Sequence, residues 1–455
     1  MNEIFHLRPL AALMAAMLAA VVSAAAAETV AGTGDWIQAE VDRNPGRMIF
    51  LPAGDHAVSA PIRLRTDWSG LWGPGRIIGT NPEAALIEID GVAGVQVRDL
   101  TLTRSEGRRE TRRATIAVTR SREVVLSNLR VREHWTSRST IEAQECVGIQ
   151  VRDCLIENYC RIDIDDRRRT DRHKDYENYG YAFTCIAGNG LMISNSTGGV
   201  VTGNRIIERR LLPTPELQAR YRLGKFVGKD PEKGRIVSQK TWDEEYVNNW
   251  NQSRAMGVTS PEFTSGAQII GNYFENAGQG TDLHADHVIL AQNIVNNSHI
   301  GMKAMHGSRN VLILGNQFVK SDLWSVGLMP GTSSHAARPG TDRRAAANVD
   351  GYSIVAHNVV ADFGRGNAGW IWQGTPERAP FRFDRAPLPH NPPLRNVVVS
   401  GNVIEDTERD RGSAGFPARY RRPVRVAAGA GAPEDLLFAD NVFEPGAESA
   451  APADR

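Results

Sequence analysis

One short phrase recurs along most of this chain and restricts the folds open to it. Each copy is an apolar, β-branched run, then usually Gly, Ala or Asp, then Asn, then further residues of strand character. Asn tolerates the left-handed backbone of a tight corner, and its amide can bond the Asn of the next copy. The clear copies centre on Asn204, Asn272, Asn293, Asn316, Asn358, Asn402 and Asn441, and weaker copies centre on Asp99, Asn128 and Asp153.

The spacing of the copies indicates a solenoid in which each copy forms one corner of a coil. Asn272, Asn293 and Asn316 are separated by 21 and 23 residues. A β-sandwich would space its strands more closely, and the Leu-x-x-Leu frame of a leucine-rich repeat is absent from the sequence. Gaps of 39 to 68 residues elsewhere indicate coils that carry inserted loops. The sequence therefore predicts an all-β, right-handed parallel β-helix, formed as a single domain by residues 28–445.

The two ends of the chain are expected to lie outside this domain. Residues 1–27 are predicted to be a signal peptide, because Arg8 precedes an apolar stretch over 10–22 and small residues end at Ala27. The apolar stretch is shorter than the ~20 residues that a membrane-spanning helix needs. We therefore expect a periplasmic or secreted protein with no membrane attachment after cleavage. The small, polar residues 446–455 are expected to be a disordered tail.

The charge balance narrows the class of partner. The chain has 53 Lys and Arg against 52 Asp and Glu, a formal net charge of +1. A general nucleic-acid-binding protein carries a clear basic excess. We therefore expect no nucleic-acid partner.

All four cysteines, Cys146, Cys154, Cys160 and Cys185, lie within one short region. In an oxidising compartment they could form disulfides, with three connectivities that the sequence does not separate. Buried, unpaired thiols in a β-core are the alternative. Both possibilities stay open at this point.

The N-terminal region of the predicted domain carries a resemblance to a known superfamily. Residues 35–41 have the pattern of a short amphipathic helix, and the strand that follows ends in Leu51-Pro52-Ala53-Gly54. A helix here would cover the open apolar end of the first coil. In these features the chain resembles the pectate-lyase-like superfamily, over about residues 33–445. That resemblance implies the β-helix fold and is loose for activity, since the superfamily includes lyases, hydrolases, epimerases and adhesins.

The densest polar cluster lies between two corners, in residues 280–287. Strand alternation places Asp282, His284 and Asp286 on one face, which we expect to be exposed to solvent, and Leu283 with Ala285 in the core. Aligning Gly280 with Gly301, one coil later, predicts that Lys303 lies beside Asp282. Aligning Gly257, one coil earlier, places Thr259 in the same row. Adjacent coils are ~4.8 Å apart, so these side chains would converge.

Such a cluster suits the chemistry of uronic acids. Removal of the proton next to a sugar carboxylate needs a base, and a cation or metal that neutralises the carboxylate. We predict that His284 is the base and that Lys303 or His306 is the neutralising or second proton-transfer group. Asp282 could orient His284 or help to bind calcium, the one candidate cofactor. The predicted substrate-binding residues are Trp250, Arg254 and Asp286.

A short motif in this strand resembles mannuronan C5-epimerases, which carry Gly-x-Asp-Pro-His followed by an acid. Here Gly280-x-Asp282-Leu283-His284 is similar, and the resemblance implies that Asp282 and His284 are catalytic. Leu283 stands in place of the family's Pro, and Gln279 stands in place of the tyrosine that precedes its glycine.

Taken together, these patterns predict an exported polysaccharide lyase that cleaves a uronic-acid-containing polymer by β-elimination. Two alternatives remain open. A glycoside hydrolase or a C5-epimerase could use the same cluster, or the chain could be a non-catalytic glycan-binding β-helix. In each case the expected partner is a polysaccharide.

Overall fold

The computed structural model describes residues 32–165, 181–223, 226–228, 252–330, 350–364, 379–386, 392–406, 424–425 and 431–444. The predicted signal peptide 1–27, the predicted tail 446–455 and Trp250 lie outside these residues, so the expectations for them stay predictions. Within the described residues, no helix is long and apolar enough to cross a membrane.

Sheet A has 13 strands, each paired in parallel with the strand of the next coil. Its strands are Gly32–Thr33, Asp55–Val58, Arg76–Gly79, Thr101–Arg104, Arg130–Arg132, Leu155–Glu157, Arg205–Ile207, Tyr273–Glu275, Ile294–Ser298, Gln317–Ser321, Val359–Phe363, Val403–Glu405 and Val442–Glu444.

Sheet B has 12 parallel strands, and each precedes a sheet A strand along the chain. Its strands are Met48–Phe50, Gly70–Trp72, Gln96–Arg98, Val125–Ser127, Gln150–Arg152, Val200–Thr202, Gln268–Ile270, Ile289–Ala291, Leu312–Leu314, Gly351–Ala356, Arg395–Ser400 and Glu434–Ala439.

Sheet C has 11 parallel strands, and its middle strands carry the predicted polar cluster. Its strands are Ile62–Leu64, Ile87–Asp90, Ile116–Thr119, Ser139–Gln144, Tyr181–Ser194, Gln252–Thr264, Gln279–Asp286, Ile300–Met305, Val326–Met329, Phe381–Phe383 and Val424–Arg425. Two further strands, Arg161–Asp165 and Phe226–Gly228, pair antiparallel with Tyr181–Ser194. A separate pair is formed by Glu110–Thr111 and Trp135–Thr136.

Each coil runs through sheet C, then sheet B, then sheet A, and the core is the stack of their inward residues. In sheet B, for example, Leu290, Ile313 and Val355 occupy equivalent positions on successive coils and are fully buried. Stacking of apolar residues along the axis buries a continuous core that no single coil could form alone. The predicted right-handed parallel β-helix is confirmed.

Seven asparagines form a continuous ladder at the corner between sheets B and A. The amide Nδ2 of Asn272 donates to Asn293 Oδ1 at 2.9 Å, and the bond recurs from Asn204 to Asn441. The predicted amide ladder is confirmed, but the left-handed residue is not the asparagine. It is the residue before it, such as Gly271 (φ 67°) or Gln292 (φ 56°).

This finding shifts the alignment of the early coils by one residue. Asp99, Asn128 and Asp153 themselves have positive φ and occupy the position that precedes the ladder. Asp153 therefore corresponds to Gly203, not to Asn204, and Cys154 occupies the ladder position. The backbone N–H of Cys154 accordingly donates to Asn204 Oδ1 at 2.9 Å.

The described residues contain two helices, and the first lies where the sequence predicted one. The first, Asp35–Arg43, buries Ile37 and Val41 against the first coil, as expected of a cap. The second, Pro215–Tyr221, belongs to an inserted loop, and the hydroxyl of Thr214 accepts a hydrogen bond from the backbone N–H of Leu217 at its start.

Of the two possibilities for the cysteines, the structure shows buried thiols. Cys146, Cys154 and Cys160 are not in disulfides, and Cys185 is also buried. Burial raises the pKa of Cys154 to about 12 and that of Cys160 well above its ordinary value. These thiols are core residues and poor nucleophiles.

Candidate active site

The predicted cluster lies at the centre of sheet C, on three neighbouring strands. Asp282, in the strand Gln279–Asp286, is paired with Lys303 on the next coil, as the spacing predicted. On the preceding coil its partner is Gly257, and Thr259 is paired with His284 instead. The expected place of Thr259 beside Asp282 was therefore wrong by two residues, because Gly257 aligns with Asp282 and not with Gly280.

The outward face of this strand is less open than the alternation alone predicted. Leu283 and Ala285 point into the core as expected, and Asp282 and His284 point outward. Asp282 is nevertheless only 4% exposed, because neighbouring side chains cover it. The expectation that this carboxylate faces solvent was wrong, since strand alternation predicts the face and not what lies over it.

Two cations and an imidazole surround the Asp282 carboxylate. Arg254 Nε donates to Asp282 Oδ2 at 2.6 Å. Lys303 Nζ lies 3.4 Å from Oδ1, and His284 Nε2 lies 3.1 Å from the same oxygen. The imidazole is in ion-pair range but is not aligned as a hydrogen bond. A buried charge of this kind is stable only because it is paired on both oxygens.

The charges of the cluster are set by burial and by these neighbours. Burial alone would raise the pKa of Asp282, but Lys303, His284 and Arg254 together hold it well below its ordinary value. Asp282 is therefore ionised at any working pH. Burial also lowers the pKa of Lys303, which Asp282 opposes and the positive Arg254 and Arg382 reinforce. The lysine consequently loses its proton more readily than a lysine in water does.

The two predicted histidines are adjacent. The ring centroids of His284 and His306 are 4.7 Å apart, with the planes at 78°. His306 adopts a left-handed backbone (φ 59°) at the end of the strand Ile300–Met305. The structure thus brings together Arg254, Asp282, His284, Lys303 and His306, which are five of the seven predicted site residues.

The remaining two predicted residues are not part of this arrangement. Trp250 lies outside the described residues. The Asp286 carboxylate is engaged at the next corner, where Oδ1 accepts the backbone N–H of Ser265 at 3.1 Å. Its Oδ2 lies 3.2 Å from His287 Nδ1 and 3.6 Å from Arg309 Nε. A substrate-binding role for Asp286 or Trp250 stays a prediction.

Arg382 and Trp324, which are not among the predicted site residues, lie beside the cluster. The outward row that contains Asp282 and Lys303 continues through Gly327 to Arg382. The Arg382 guanidinium lies 4.3 Å from the centre of the Trp324 ring. A Cβ on Gly327 would collide with that indole, so glycine is what allows Trp324 to lie over the sheet at this point. No local pattern marks Arg382, since long insertions separate it from Lys303.

A buried carboxylate holds the turn that presents His306. Asp350 Oδ1 accepts the backbone N–H groups of Gly307 and Ser308 at 3.0 and 2.9 Å. Ser308 Oγ in turn donates to the carbonyl of Leu283, which lies between Asp282 and His284 in sequence. Burial raises the pKa of Asp350 well above its ordinary value.

We expect Asp350→Asn to change how stability depends on pH. When folding raises the pKa of an acid, the free energy of unfolding decreases as the pH rises above the unfolded pKa, which is about 4 here. The decrease continues until the pH passes the folded pKa. Asn keeps the acceptor oxygen and cannot ionise. The midpoint temperature of thermal unfolding should therefore decrease less steeply between pH 4 and pH 8 in Asp350→Asn than in the wild type. Asp99→Asn, at a partly exposed position, is the control, and equal slopes for wild type and Asp350→Asn would contradict the assignment.

The surroundings of Asp282 do not fit calcium. Calcium takes six to eight oxygen ligands, whereas both oxygens of Asp282 face cationic or imidazole nitrogen atoms. Within the described parts of the chain, no group of three or more His, Cys, Asp or Glu residues could hold a metal ion. We therefore derive no step through a metal at Asp282.

No family model matches this chain, and no curated protein sequence matches it. Among solved structures, it is similar to the catalytic domain of a GH87 α-1,3-glucanase in complex with nigerose, at 11% identity and a TM-score of 0.53. That match covers 93% of this chain and 65% of the glucanase domain.

A second similar structure is PfbA, a surface adhesin of Streptococcus pneumoniae, at 10% identity and a TM-score of 0.52. That match covers 92% of this chain and 88% of the adhesin. The A-module of the mannuronan C-5 epimerase AlgE4 of Azotobacter vinelandii matches at 12% identity, with 91% and 96% coverage and a TM-score of 0.40. At such identities the likenesses to the glucanase domain and the adhesin show one thing about the chain, which is its fold as a parallel β-helix.

Proposed function

We propose that this protein is a carbohydrate-active enzyme, and specifically a polysaccharide lyase that cleaves a uronic-acid-containing polymer. The observation that carries the proposal is the buried, ionised Asp282 held between Arg254, Lys303 and the imidazole of His284 on the outer face of the β-helix. Among the similar folds are a glucanase and an adhesin, so the fold itself does not select between catalysis and binding. The preference for catalysis over binding alone rests on the charged cluster around Asp282.

The cluster supplies the groups that β-elimination needs. A base removes the C5 proton, the electron pair forms the C4–C5 double bond, and the C4–O glycosidic bond breaks as its oxygen takes a proton. An N–H at His284 Nε2, turned toward the Asp282 carboxylate, leaves Nδ1 with the lone pair that accepts the C5 proton. His306, packed on His284, is assigned the return of a proton to the leaving oxygen.

The cations stabilise the charge that develops during the reaction. Removal of the C5 proton places negative charge on the uronate carboxylate, and a fixed cation in a water-poor site lowers that barrier. Lys303 is assigned this role, because it lies on the coil next to His284 and its Nζ is fixed 3.4 Å from Asp282 Oδ1. Asp282 then holds the base and the cation in position rather than reacting itself.

A C5-epimerase is the second candidate, and the adjacent His284 and His306 favour it. Epimerisation needs a proton removed on one face of the sugar and another delivered to the opposite face, which two proton-transfer groups can do. A hydrolase is less well supported, because it needs one protonated carboxylic acid. Asp282 cannot supply that proton, since its pKa lies well below the ordinary value.

The test is to identify the products formed from a panel of uronate polymers. The chain from residue 28 onward is incubated with alginate, polygalacturonate and glucuronan, and the oligosaccharides are analysed by mass spectrometry. A lyase gives products one water lighter than the hydrolytic ones. Products of hydrolytic mass would overturn the proposal in favour of a hydrolase, and an unchanged chain length with inverted C5 centres would identify an epimerase.

We expect Lys303→Arg to move the alkaline limit of activity. Lys303 must be protonated to neutralise a carboxylate. Because its pKa is lowered, the loss of activity with rising pH should occur at a pH lower than the ordinary lysine pKa of about 10.4. A guanidinium stays charged, so the variant should keep neutral-pH activity within about tenfold and lose the alkaline decline. The measurement is kcat/KM from pH 6 to 10, with Lys320→Arg as the control. A Lys303→Arg enzyme inactive at every pH would identify Lys303 as the base.

We also propose that the chain is exported to the periplasm or the medium, where such polymers are met. The support is the signal-like pattern of residues 1–27. Fractionation of cells that express the full chain tests this point, and a cytoplasmic, unprocessed product would contradict it.

A further inference from the structure

Three aromatic side chains form an exposed patch on the first two coils, far from the candidate active site. Phe50 and Trp72 are paired across neighbouring strands of sheet B, with their ring centroids 4.8 Å apart. Trp68 lies at the corner that leads into the same sheet. Trp68 is 61% exposed and Phe50 47%. We call Phe50, Trp68 and Trp72 the aromatic patch. Phe50 and Trp72 are in ring contact, and Trp68 lies four residues before Trp72 on the same coil; exposed aromatic side chains grouped on one part of a surface mark an interaction site.

Trp68 is held in place by its own turn rather than by burial. Its backbone is left-handed (φ 64°), which is uncommon and costly for a large side chain. The backbone N–H of Trp68 donates to the carbonyl of Ala93 at 2.8 Å, and the backbone N–H of Ala93 donates to Asp67 Oδ1 at 2.9 Å. The indole lies on Gly94, where a Cβ would meet the ring at 2.2 Å. The chain thus fixes an exposed tryptophan that the core does not need.

Cations and amides continue the patch along the helix axis. The outward row that contains Phe50 and Trp72 continues through Arg98 and Ser127 to Arg152. The Arg98 guanidinium lies 5.1 Å from the centre of the Trp72 ring, and its ion pair with Asp99 is exposed and therefore weak. Two residues before each of these arginines, Gln96 and Gln150 also point outward.

We propose that the aromatic patch, with Arg98 and Arg152, is a second glycan-binding surface that holds an anionic polysaccharide. Aromatic rings offer flat apolar faces on which sugar rings stack, and arginine forks match carboxylates. Phe50, Trp72 and Arg98 follow one another at the ~4.8 Å spacing of the coils, and Arg152 lies two coils beyond Arg98, past Ser127. The anionic character of the polymer rests on the proposed function, and the surface itself rests on the patch.

The patch is separate from the candidate active site. It lies on sheet B and its corner, whereas the cluster of Asp282 lies on sheet C. Along the axis, the strand Gly70–Trp72 is six strands away from Ile289–Ala291, the sheet B strand of the Asp282 coil. Six coils span about 30 Å. A short oligosaccharide in the active site therefore cannot reach the patch, whereas a polymer can contact both.

Affinity electrophoresis of the full chain tests the proposal. Native gels are cast with alginate, with polygalacturonate or with neutral dextran. Wild type and the control Tyr352→Ala, which removes an exposed aromatic at the far end of sheet B, should be retarded in a polyuronate gel and not in dextran. Trp68→Ala and the double variant Trp68→Ala/Trp72→Ala should bind at least ~5-fold more weakly. Trp68 is exposed, so its variant tests the proposal without loss of folding.

Two results would overturn the proposal. One is retardation of Trp68→Ala and the double variant equal to that of the wild type. The other is a wild type that neither polyuronate retards, which would leave the patch to a protein partner instead. Cleavage of a uronate tetrasaccharide by the same variants should equal that of the wild type. If no uronate is cleaved but the polyuronate gels still separate the variants, the proposed function fails while the glycan-binding surface stands.

Discussion

Asp282→Ala is expected to lower the stability of the protein more than any other single change at the cluster, and to lower its activity as well. Removal of the carboxylate leaves Arg254 and Lys303 facing each other without an anion, in a place where water reaches them poorly. Breaking a buried pair from one side costs about 3–5 kcal/mol. Chemical unfolding monitored by circular dichroism should show a loss of this size.

The matched control for stability is Glu88→Ala. Glu88 also pairs with a cation of the neighbouring coil, at 3.1 Å from Arg63, and it lies in the same sheet. Both side chains of this ion pair are well exposed, so this change should cost no more than about 1 kcal/mol. Equal losses for Asp282→Ala and Glu88→Ala would contradict the burial argument.

The activity of the Asp282 variant separates structure from chemistry. Asp282→Asn keeps the size of the side chain and one acceptor oxygen for Arg254 but loses the charge that orients His284. We expect kcat/KM for polymer cleavage to fall about 10²–10⁴-fold while the protein remains folded at assay temperature. Full activity in a folded Asp282→Asn would show that the carboxylate only stabilises the fold.

His284→Ala is expected to abolish cleavage with little effect on stability. The side chain is partly exposed and packs edge-on against His306, so its removal costs few contacts. Loss of a general base typically lowers the rate about 10²–10⁴-fold. Added imidazole should restore part of the activity, because a small base can enter the space that the side chain leaves. The measurement is the initial rate on the polymer with and without imidazole.

His287→Ala provides the control for this change. His287 is three residues further along the same segment, is more exposed and contacts Asp286 at the corner. This variant should retain wild-type activity and show no response to imidazole. A His284→Ala enzyme as active as His287→Ala would remove the imidazole from the mechanism and move the role of base to Lys303.

The fold was predictable because the ladder asparagines mark one corner of most later coils. Each is fixed by bonds to the coils on both sides, as Asn316 is through Asn293 and Asn358. The early coils were harder to align. On one of them Cys154 occupies the ladder position, and the left-handed residue that precedes it, Asp153, resembles the ladder asparagines in sequence. At the cluster, strand alternation still gave the right face, because the alignment of Gly257 was wrong by two residues and a side-chain period of two survives an even shift of register.

The site was only partly predictable for a related reason. Asp282 and Lys303 are 21 residues apart with no insertion, so counting along the sequence paired them correctly. Arg382 reaches the same row only after long insertions, which carry no pattern that aligns them. The burial of Asp282 also depends on Arg254 folding over it from another coil. Such coverage is a property of several coils together.

If this cluster performs β-elimination, each cut leaves an unsaturated uronate, which absorbs in the ultraviolet. Absorbance at the band of unsaturated uronates is followed while the wild-type chain, from residue 28 onward, acts on alginate, polygalacturonate or glucuronan. We expect a steady rise on at least one polymer, lost in Asp282→Asn and in His284→Ala and retained in His287→Ala. A flat trace for the wild type on every polymer, or an equal rise in the two cluster variants, would contradict it.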